Sequence, residues 1–281
     1  MSEDAMSTDD RWVGSMPELY DRYLGPALFE PFAHRLAALT SAAASANSEQ
    51  SSDLSAVPRR LLELAAGTGI ATAELVKALP DLEIIATDLN PSMVALAQPR
   101  VPGATWRQAD AQDLDFVDGF FDLVVCQFGV MFFPNKQAAF AEAARVLSPG
   151  GTMMFTVWDV VEYSDFAAAM VESLAAVLPV DTPSFLVRVP YGYADAEQIT
   201  SDLEAGGLRL RGLERVVLRG TCPSARDLAR GFAMGTPLRF ELAERGSLEQ
   251  LTQALSDDIV ARLGSGPIEG DLTAFVVTAV T

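Results

Sequence analysis

The stretch Leu61-Leu62-Glu63-Leu64-Ala65-Ala66-Gly67-Thr68-Gly69 constrains this chain more than any other, because an apolar run ends there in a Gly-x-Gly turn. A helical pattern from Ile70 to Leu79 follows, so the segment reads as strand, tight loop and helix. Glycines at 67 and 69 let the backbone turn sharply and remove the Cβ atoms that would hold a ligand away. The helix behind them offers free N–H groups to a polar or anionic group. Further on, Leu82-Glu83-Ile84-Ile85-Ala86-Thr87-Asp88 is an apolar run ending in a carboxylate. In an open α/β sheet that carboxylate lies at the tip of the neighbouring strand, close to the first loop. It can accept two hydrogen bonds from a vicinal ribose diol. The two features together imply a nucleoside-containing cofactor.

A dinucleotide site asks for a third small residue at the helix start, and Thr72 stands there instead. Glu63, inside the strand, would repel a pyrophosphate but attract a ligand carrying an ammonium and a sulfonium. S-adenosylmethionine therefore fits these residues better than NAD. Five segments extend the pattern over residues 57–160: Glu63 to Gly69, Ala86-Thr87-Asp88-Leu89-Asn90, Gln108-Ala109-Asp110-Ala111, Phe121 to Gly129, and Arg145 to Gly151. Their order and spacing resemble the class I S-adenosylmethionine-dependent methyltransferases, in the ubiquinone/menaquinone-type (methyltransferase type 11-like) branch. In that family they correspond to motif I, the motif II acidic strand end, the adenine-binding turn, motif IV, and the turn before the fifth strand.

The resemblance implies a Rossmann-like α/β fold. It has a seven-stranded, mostly parallel sheet with one antiparallel strand, and helical N-terminal and inserted segments that act as a lid. It also implies a cofactor site. Ala65, Gly67, Thr68 and Gly69 form the loop, and Glu63 orders that loop or meets the methionine amino group. Asp88 takes the ribose, Asp110 the adenine amino group and the Ala111 N–H the ring. Leu89 and Met93 flank the adenine, Gln127 faces the methionine moiety, and Tyr20 or Tyr23 closes over its end. Each assignment has a plainer rival. Asp88 could cap the helix that opens at Pro91, and Glu63 could be a charge paired inside the fold. Asp110 could be an ordinary loop acid, Leu89 and Met93 core residues, Gln127 a structural amide, and the two tyrosines packing residues. Ala65 stands where many relatives carry Gly, and its small side chain predicts little consequence.

The formal charge of −18 disfavours a phosphate-backbone partner. Arg209, Arg211 and Arg215 alternate along an apparent strand and read as one solvated face. No apolar segment approaches membrane-spanning length, and the acidic start Met1-Ser2-Glu3-Asp4 does not read as a signal peptide. A cytoplasmic location is the expectation. Two cysteines, Cys126 and Cys222, are too few for a disulfide framework, and a single histidine, His34, argues against a zinc site, so no metal is expected. His34 reads as a surface or satisfied residue rather than a general base, and Cys126 as a buried, inert thiol.

Residues 1–10 read as a mobile tail. Ser15, Pro17 and Glu18 predict a helix start with a capping box, the helix running past Tyr20 and Tyr23 to Gly25, with a second beginning near Pro26. At helical spacing Tyr20 and Tyr23 share a face. Thr40 to Val57 lacks an apolar period and reads as a loop or linker. Strands are predicted at 60–64, 83–87, 104–108, 121–126, 152–158, 209–219 and 274–280, the last antiparallel. Helices are predicted at 71–79, from 91, and at 136–147, 164–178 and 196–205, with a helical insertion over 222–263. Alternating strands and helices imply a parallel sheet. The domain division expected is an N-terminal lid and linker (1–56) and a methyltransferase domain (57–281) with insertions near 160–192 and 222–264. Residues 12–36 should pack across the cofactor opening, and their removal with the tail should leave a folded core.

The function expected is in-line methyl transfer to a small, lipophilic or aromatic acceptor, an inference from the apolar inserts (Phe166, Met170, Phe185, Phe232, Met234, Phe240). No catalytic residue is identified, and the acceptor atom and oligomeric state stay open. The rival readings are a non-catalytic S-adenosylmethionine-binding module and an NAD-dependent oxidoreductase. The second is disfavoured by Thr72 and by the lack of a Tyr-x-x-x-Lys set.

Overall fold

A computed structural model describes residues 12–50 and 60–281. The expected mobile tail and the end of the expected linker lie outside these residues. Seven strands, β1 (Arg60–Glu63), β2 (Glu83–Asp88), β3 (Thr105–Gln108), β4 (Phe121–Gln127), β5 (Leu147–Trp158), β6 (Arg209–Cys222) and β7 (Ile268–Val280), form one sheet in the order β3-β2-β1-β4-β5-β7-β6. The ladders β3-β2, β2-β1, β1-β4 and β4-β5 are all parallel. β7 runs the other way: Thr281 N–H meets the Gly151 carbonyl near the start of β5, and Asp159 N–H meets the Thr273 carbonyl near its end. This is the mostly parallel, Rossmann-like sheet that the sequence predicts. β1, β2 and β4 are legible because a parallel strand covered on both faces is a nearly unbroken apolar run; Leu61, Leu62, Ile84, Ile85, Leu123 and Val124 are all buried.

The described residues divide into two compact units. The first comprises residues 32–157, 194–216 and 275–281. Its core joins Leu36, Leu61, Leu75, Ile84, Leu123, Val125 and Met154, drawn from the flanking helices Glu30–Gln50 and Ile70–Ala78 and from β1, β2, β4 and β5. A smaller apolar cluster of Ala66, Ala86, Ala97, Val101 and Trp106 sits beside the motif loop.

Helix Glu30–Gln50 overturns part of the linker reading, since Thr40 to Gln50 is helical. Alanine is the strongest helix former, and Thr40 and Ser45 turn their hydroxyls back onto the carbonyls of Leu36 and Ser41. The segment therefore needs no apolar period to be a helix. β5 also starts earlier than expected: Leu147 already pairs with Phe121, and a register shift then absorbs the Pro149-Gly150-Gly151 turn.

The second unit comprises residues up to 31, 158–193 and 217–274. Its helices include Asp165–Val177, Ala225–Gly235, Leu238–Arg245 and Leu248–Leu263. At its start the expected break at Gly25-Pro26 is absent. A short α-helix (Met16–Leu19) passes directly into a ten-residue π-helix, Tyr20–Phe29, with Pro26 inside it. The Glu30 N–H bonds the Gly25 carbonyl five residues back. The wider i→i+5 winding gives room for a proline that would break an α-helix. The expected capping box is not made either. Ser15 has ψ near 7°, outside the extended conformation a cap needs, and its side chain makes no cap hydrogen bond.

The winding also separates the two tyrosines, because residues three apart share a face in an α-helix but not in a π-helix. Tyr20 packs against Trp12 and Phe29, with ring centroids at 5.0 and 4.8 Å. Tyr23 faces the Arg22 guanidinium at 5.3 Å.

This arm is built into the second unit. A Cβ on Gly235 would stand 2.7 Å from the Tyr20 backbone nitrogen, and one on Gly231 would stand 2.6 Å from Leu24. Gly235→Ala should therefore cost about 1–3 kcal/mol by overpacking, read as a lower urea midpoint. Gly266→Ala, with open space around it, should stay within about 0.5 kcal/mol. Equal effects at the two sites would refute the close approach. The burial also changes the expected result of truncation. Met16, Leu24 and Leu28 are buried in this unit, and Phe32 and Leu36 in the other. Removing residues 1–36 takes core side chains from both units, so a folded remainder is not expected.

Candidate functional site

The motif loop leaves β1 at Glu63 and is fixed by backbone bonds on both sides. Leu64 N–H meets the Val125 carbonyl of β4, and Ala66 N–H meets the Thr87 carbonyl of β2. Gly67 and Gly69 have φ of 57° and 87°, values that favour glycine. The two differ in surroundings. A Cβ on Gly69 would press on Trp106, Val101 and Ala97 at 3.2–3.3 Å, whereas nothing lies within 4 Å of one on Gly67. Gly69 is needed for packing, and Gly67 leaves open space in front of the loop. Ala65 also has a left-handed φ, 51°, and Phe128 after β4 has 53°; these are the two non-glycine cases among the described residues. Strain of this kind gathers at functional sites. At Ala65 it explains why glycine suits the position, a cost the small size of alanine does not remove.

Asp88 does not cap the helix that begins at Pro91. Asn90 does, its side chain accepting from Ser92 N–H. The Asp88 carboxylate instead accepts from the Gly67 and Asn90 N–H groups, both at 2.8 Å. It thus ties the motif loop to the end of β2, and each oxygen retains a lone pair. Burial pushes its pKa up to about 6 against the pull of those two N–H groups. Glu63 is 1% exposed, and its Oε2 has no hydrogen-bond partner. Burial pushes its carboxyl up to about 8, with the Thr72 hydroxyl pulling down and the Asp88 charge adding to the rise. Thr68, 4% exposed in the same loop, also has an unpartnered hydroxyl. Buried polar atoms without partners are rare, and here three, on Glu63, Thr68 and Thr72, lie in one stretch of chain on either side of Gly67. These acceptor oxygens fit a ligand that donates from an ammonium and a sugar diol.

The other expected residues of this unit line adjacent strand ends. Leu89 is half-buried and its carbonyl accepts from the Gln108 side chain; Met93 is buried. Asp110 folds its carboxylate over the N–H and side chain of Gln112, and Ala111 is buried beside it. Gln127 closes β4, opposite Thr156 of β5. Tyr20 and Tyr23 belong to the other unit. His34 pairs through Nδ1 with Glu74 at 3.1 Å and is largely exposed. Cys126 is buried with its thiol pushed up to about 12 by burial, as an inert cysteine should be. Sequence reasoning missed Phe128 and Gly129. A Cβ on Gly129 would meet Ala65 Cβ at 2.5 Å and Cys126 Sγ at 2.8 Å. A glycine just after the strand was the available signal.

Comparison with known proteins agrees with this geometry. Residues 62–155 match the family described as "Methyltransferase domain". The chain is 34% identical over 171 residues to the ubiquinone/menaquinone biosynthesis C-methyltransferase UbiE of Cupriavidus metallidurans, covering 57% of this chain and 67% of that protein. It is 36% identical over 105 residues to a demethylmenaquinone methyltransferase of Thermus thermophilus, covering 36% of this chain and about half, 48%, of that relative. The crystal structure of the YcgJ protein from Bacillus subtilis superposes with a TM-score of 0.53 at 20% identity, over 88% of this chain and 98% of that one; this supports the fold. The chain accordingly belongs to the class I S-adenosylmethionine-dependent methyltransferases, in the ubiquinone/menaquinone-type branch.

Proposed function

We propose that this protein moves the methyl group of S-adenosylmethionine to a small lipophilic or aromatic acceptor, a quinone-type ring being the first to test because the matched relatives are named for such rings. The observation that carries the reading is the set of unpartnered buried polar atoms in the motif segment, Glu63 Oε2, Thr68 Oγ1 and Thr72 Oγ1, together with the Asp88 carboxylate that accepts from Gly67 N–H in the same loop. When bound, the cofactor supplies a methyl group on a sulfonium, already a good leaving group. Asp88 takes the ribose hydroxyls with the lone pairs that Gly67 and Asn90 leave free. Glu63 takes the ammonium. Asp110 and the Ala111 N–H hold the adenine between Leu89 and Met93, and Gln127 meets the methionine end.

The protein's work in such a reaction is alignment and exclusion of water. It needs no covalent nucleophile, and the unreactive Cys126 agrees. Titrating the protein with S-adenosylmethionine, S-adenosylhomocysteine and NAD, then supplying methyl-labelled cofactor with reduced naphthoquinones and with a cell extract, tests the reading. Binding of the first two and a labelled product are expected. Tight NAD binding with no S-adenosylmethionine binding would sink it, and binding without any labelled product would favour a non-catalytic module.

His34→Ala should keep methyl transfer within a few-fold, because the ring is committed to Glu74 at an exposed site, a pair worth about 0–1 kcal/mol. A loss beyond about a thousandfold, the size of an acid–base role, would make His34 catalytic after all.

A further inference from the structure

Thr72 stands where a dinucleotide site would keep a small residue, and it is fully buried. It lies in the first turn of helix Ile70–Ala78, which Gly69 opens. Threonines inside helices often turn the hydroxyl back onto the carbonyl four residues before. Thr40, Thr200 and Thr252 do so, onto Leu36, Ala196 and Leu248. Thr72 does not. The residue four back from it is Thr68, in the loop ahead of the helix, and the Thr72 hydroxyl closes no hydrogen bond in the free protein. A buried hydroxyl left in this state is destabilising.

The group beside it is the Glu63 carboxyl at the end of β1, whose charged form the hydroxyl favours. Glu63 Oε2 is likewise without a partner. The other titratable groups that act on this carboxyl are both acids. Asp88, at the end of β2, opposes its ionisation, and the Cys126 thiol of β4 is held neutral by burial. No basic side chain among the described residues joins them. Glu63, Thr72, Asp88 and Cys126 all belong to one compact unit. The side-chain donor that a charged Glu63 meets there is the Thr72 hydroxyl.

We propose that Thr72 is a positioning residue for the cofactor: its hydroxyl donates to the Glu63 carboxylate and readies it for the ammonium of S-adenosylmethionine. The proposal rests on the methyltransferase reading and goes further by naming the residue that prepares the ammonium's partner. A carboxylate accepts at several lone pairs, so the hydroxyl and the ammonium can both be served. The hydroxyl acts through Glu63 and touches neither the methyl group nor its acceptor.

The probe is S-adenosylhomocysteine, which carries the ammonium without the sulfonium, titrated calorimetrically from about pH 6 to about pH 9. The ratio of wild-type to variant affinity at each pH cancels the titration of the probe itself. Thr72→Val keeps the shape and removes the donor. It should bind about ten- to a hundredfold more weakly at pH 7, the size of one charge-assisted hydrogen bond. By pH 9 the deficit should shrink about five- to tenfold, as both proteins approach the carboxylate form. Thr72→Ala, a better helix former, should behave as Thr72→Val does and gives the answer if the valine variant does not fold. Thr72→Ser keeps the donor and should stay close to wild type across the range. In a Glu63→Gln background, Thr72→Val should change affinity little. A deficit of equal size at every pH, as a merely structural hydroxyl would give, a deficit shared by Thr72→Ser, or one undiminished in Glu63→Gln would each overturn the proposal. Failure of wild type to bind S-adenosylhomocysteine at all would instead strike the methyltransferase reading beneath it.

Discussion

Replacing Asp88 by Ala should weaken S-adenosylmethionine binding by about ten- to a hundredfold. The substitution removes charge-assisted hydrogen bonds to the ribose, each worth roughly 1.5–3 kcal/mol. It should also lower stability, because the Gly67 and Asn90 N–H groups lose their acceptor and the motif loop loses its tie to β2. The two effects are separable. Asp88→Asn keeps one carbonyl acceptor, so its affinity should fall between wild type and Ala. Asn90→Ala removes the true helix cap and should cost about 1 kcal/mol of stability, with a smaller loss of affinity than Asp88→Ala. Calorimetric titration beside thermal melting reads both quantities. Affinity indifferent to both Asp88 substitutions would leave the family assignment standing and remove Asp88 from the ribose site.

The second large effect is in pH. Glu63 has its pKa raised from 4.5 to about 8, chiefly by burial, so below pH 8 the free protein holds it mainly protonated. Holding an ammonium requires the carboxylate. Binding at pH 7 should therefore release close to one proton, and affinity should rise by about tenfold per pH unit up to about pH 8, then level off. Without ligand the sign is the reverse. The protonated form favours the folded state, so this contribution is fully present below about pH 4.5 and is lost as pH rises through about 8. Asp88, raised to about 6, acts in the same direction over a lower window. Calorimetry in two buffers of different ionisation enthalpy counts the proton. Glu63→Gln, which keeps the shape, should abolish both the release and the slope. A slope that persists in Glu63→Gln would assign the titration to the ligand or to another residue.

Much of this was legible in the sequence because the decisive features are local. The buried parallel strands spell themselves as apolar runs, Gly67 and Gly69 mark the turn, and Asp88 ends its strand within reach of that turn. What was not legible depends on choices among near-equal local options. Asp88 and Asn90 are both plausible caps two residues apart, and only the fold shows that Asn90 takes the cap and frees Asp88 for the loop. Pro26 reads as a break because proline breaks an α-helix, while the chain winds wider and carries on. Helix Glu30–Gln50 runs into a segment whose alanines carry helix propensity but no stripe. The unpartnered Thr68 hydroxyl left no signal, since its isolation is a property of the packed unit and not of its neighbours in sequence.

The π-helix has a consequence for how this arm tolerates change. Its register is set by residue count, so exposed positions such as Arg22 and Pro26 should accept many replacements while a change of length should not be accepted. Deleting one residue between Tyr20 and Phe29 would favour rewinding to the tighter helix, turning one ring by roughly 100° relative to the other. Insertions and deletions, which surface segments ordinarily absorb with ease, should here dismantle an aromatic alignment that no single substitution at those exposed positions touches.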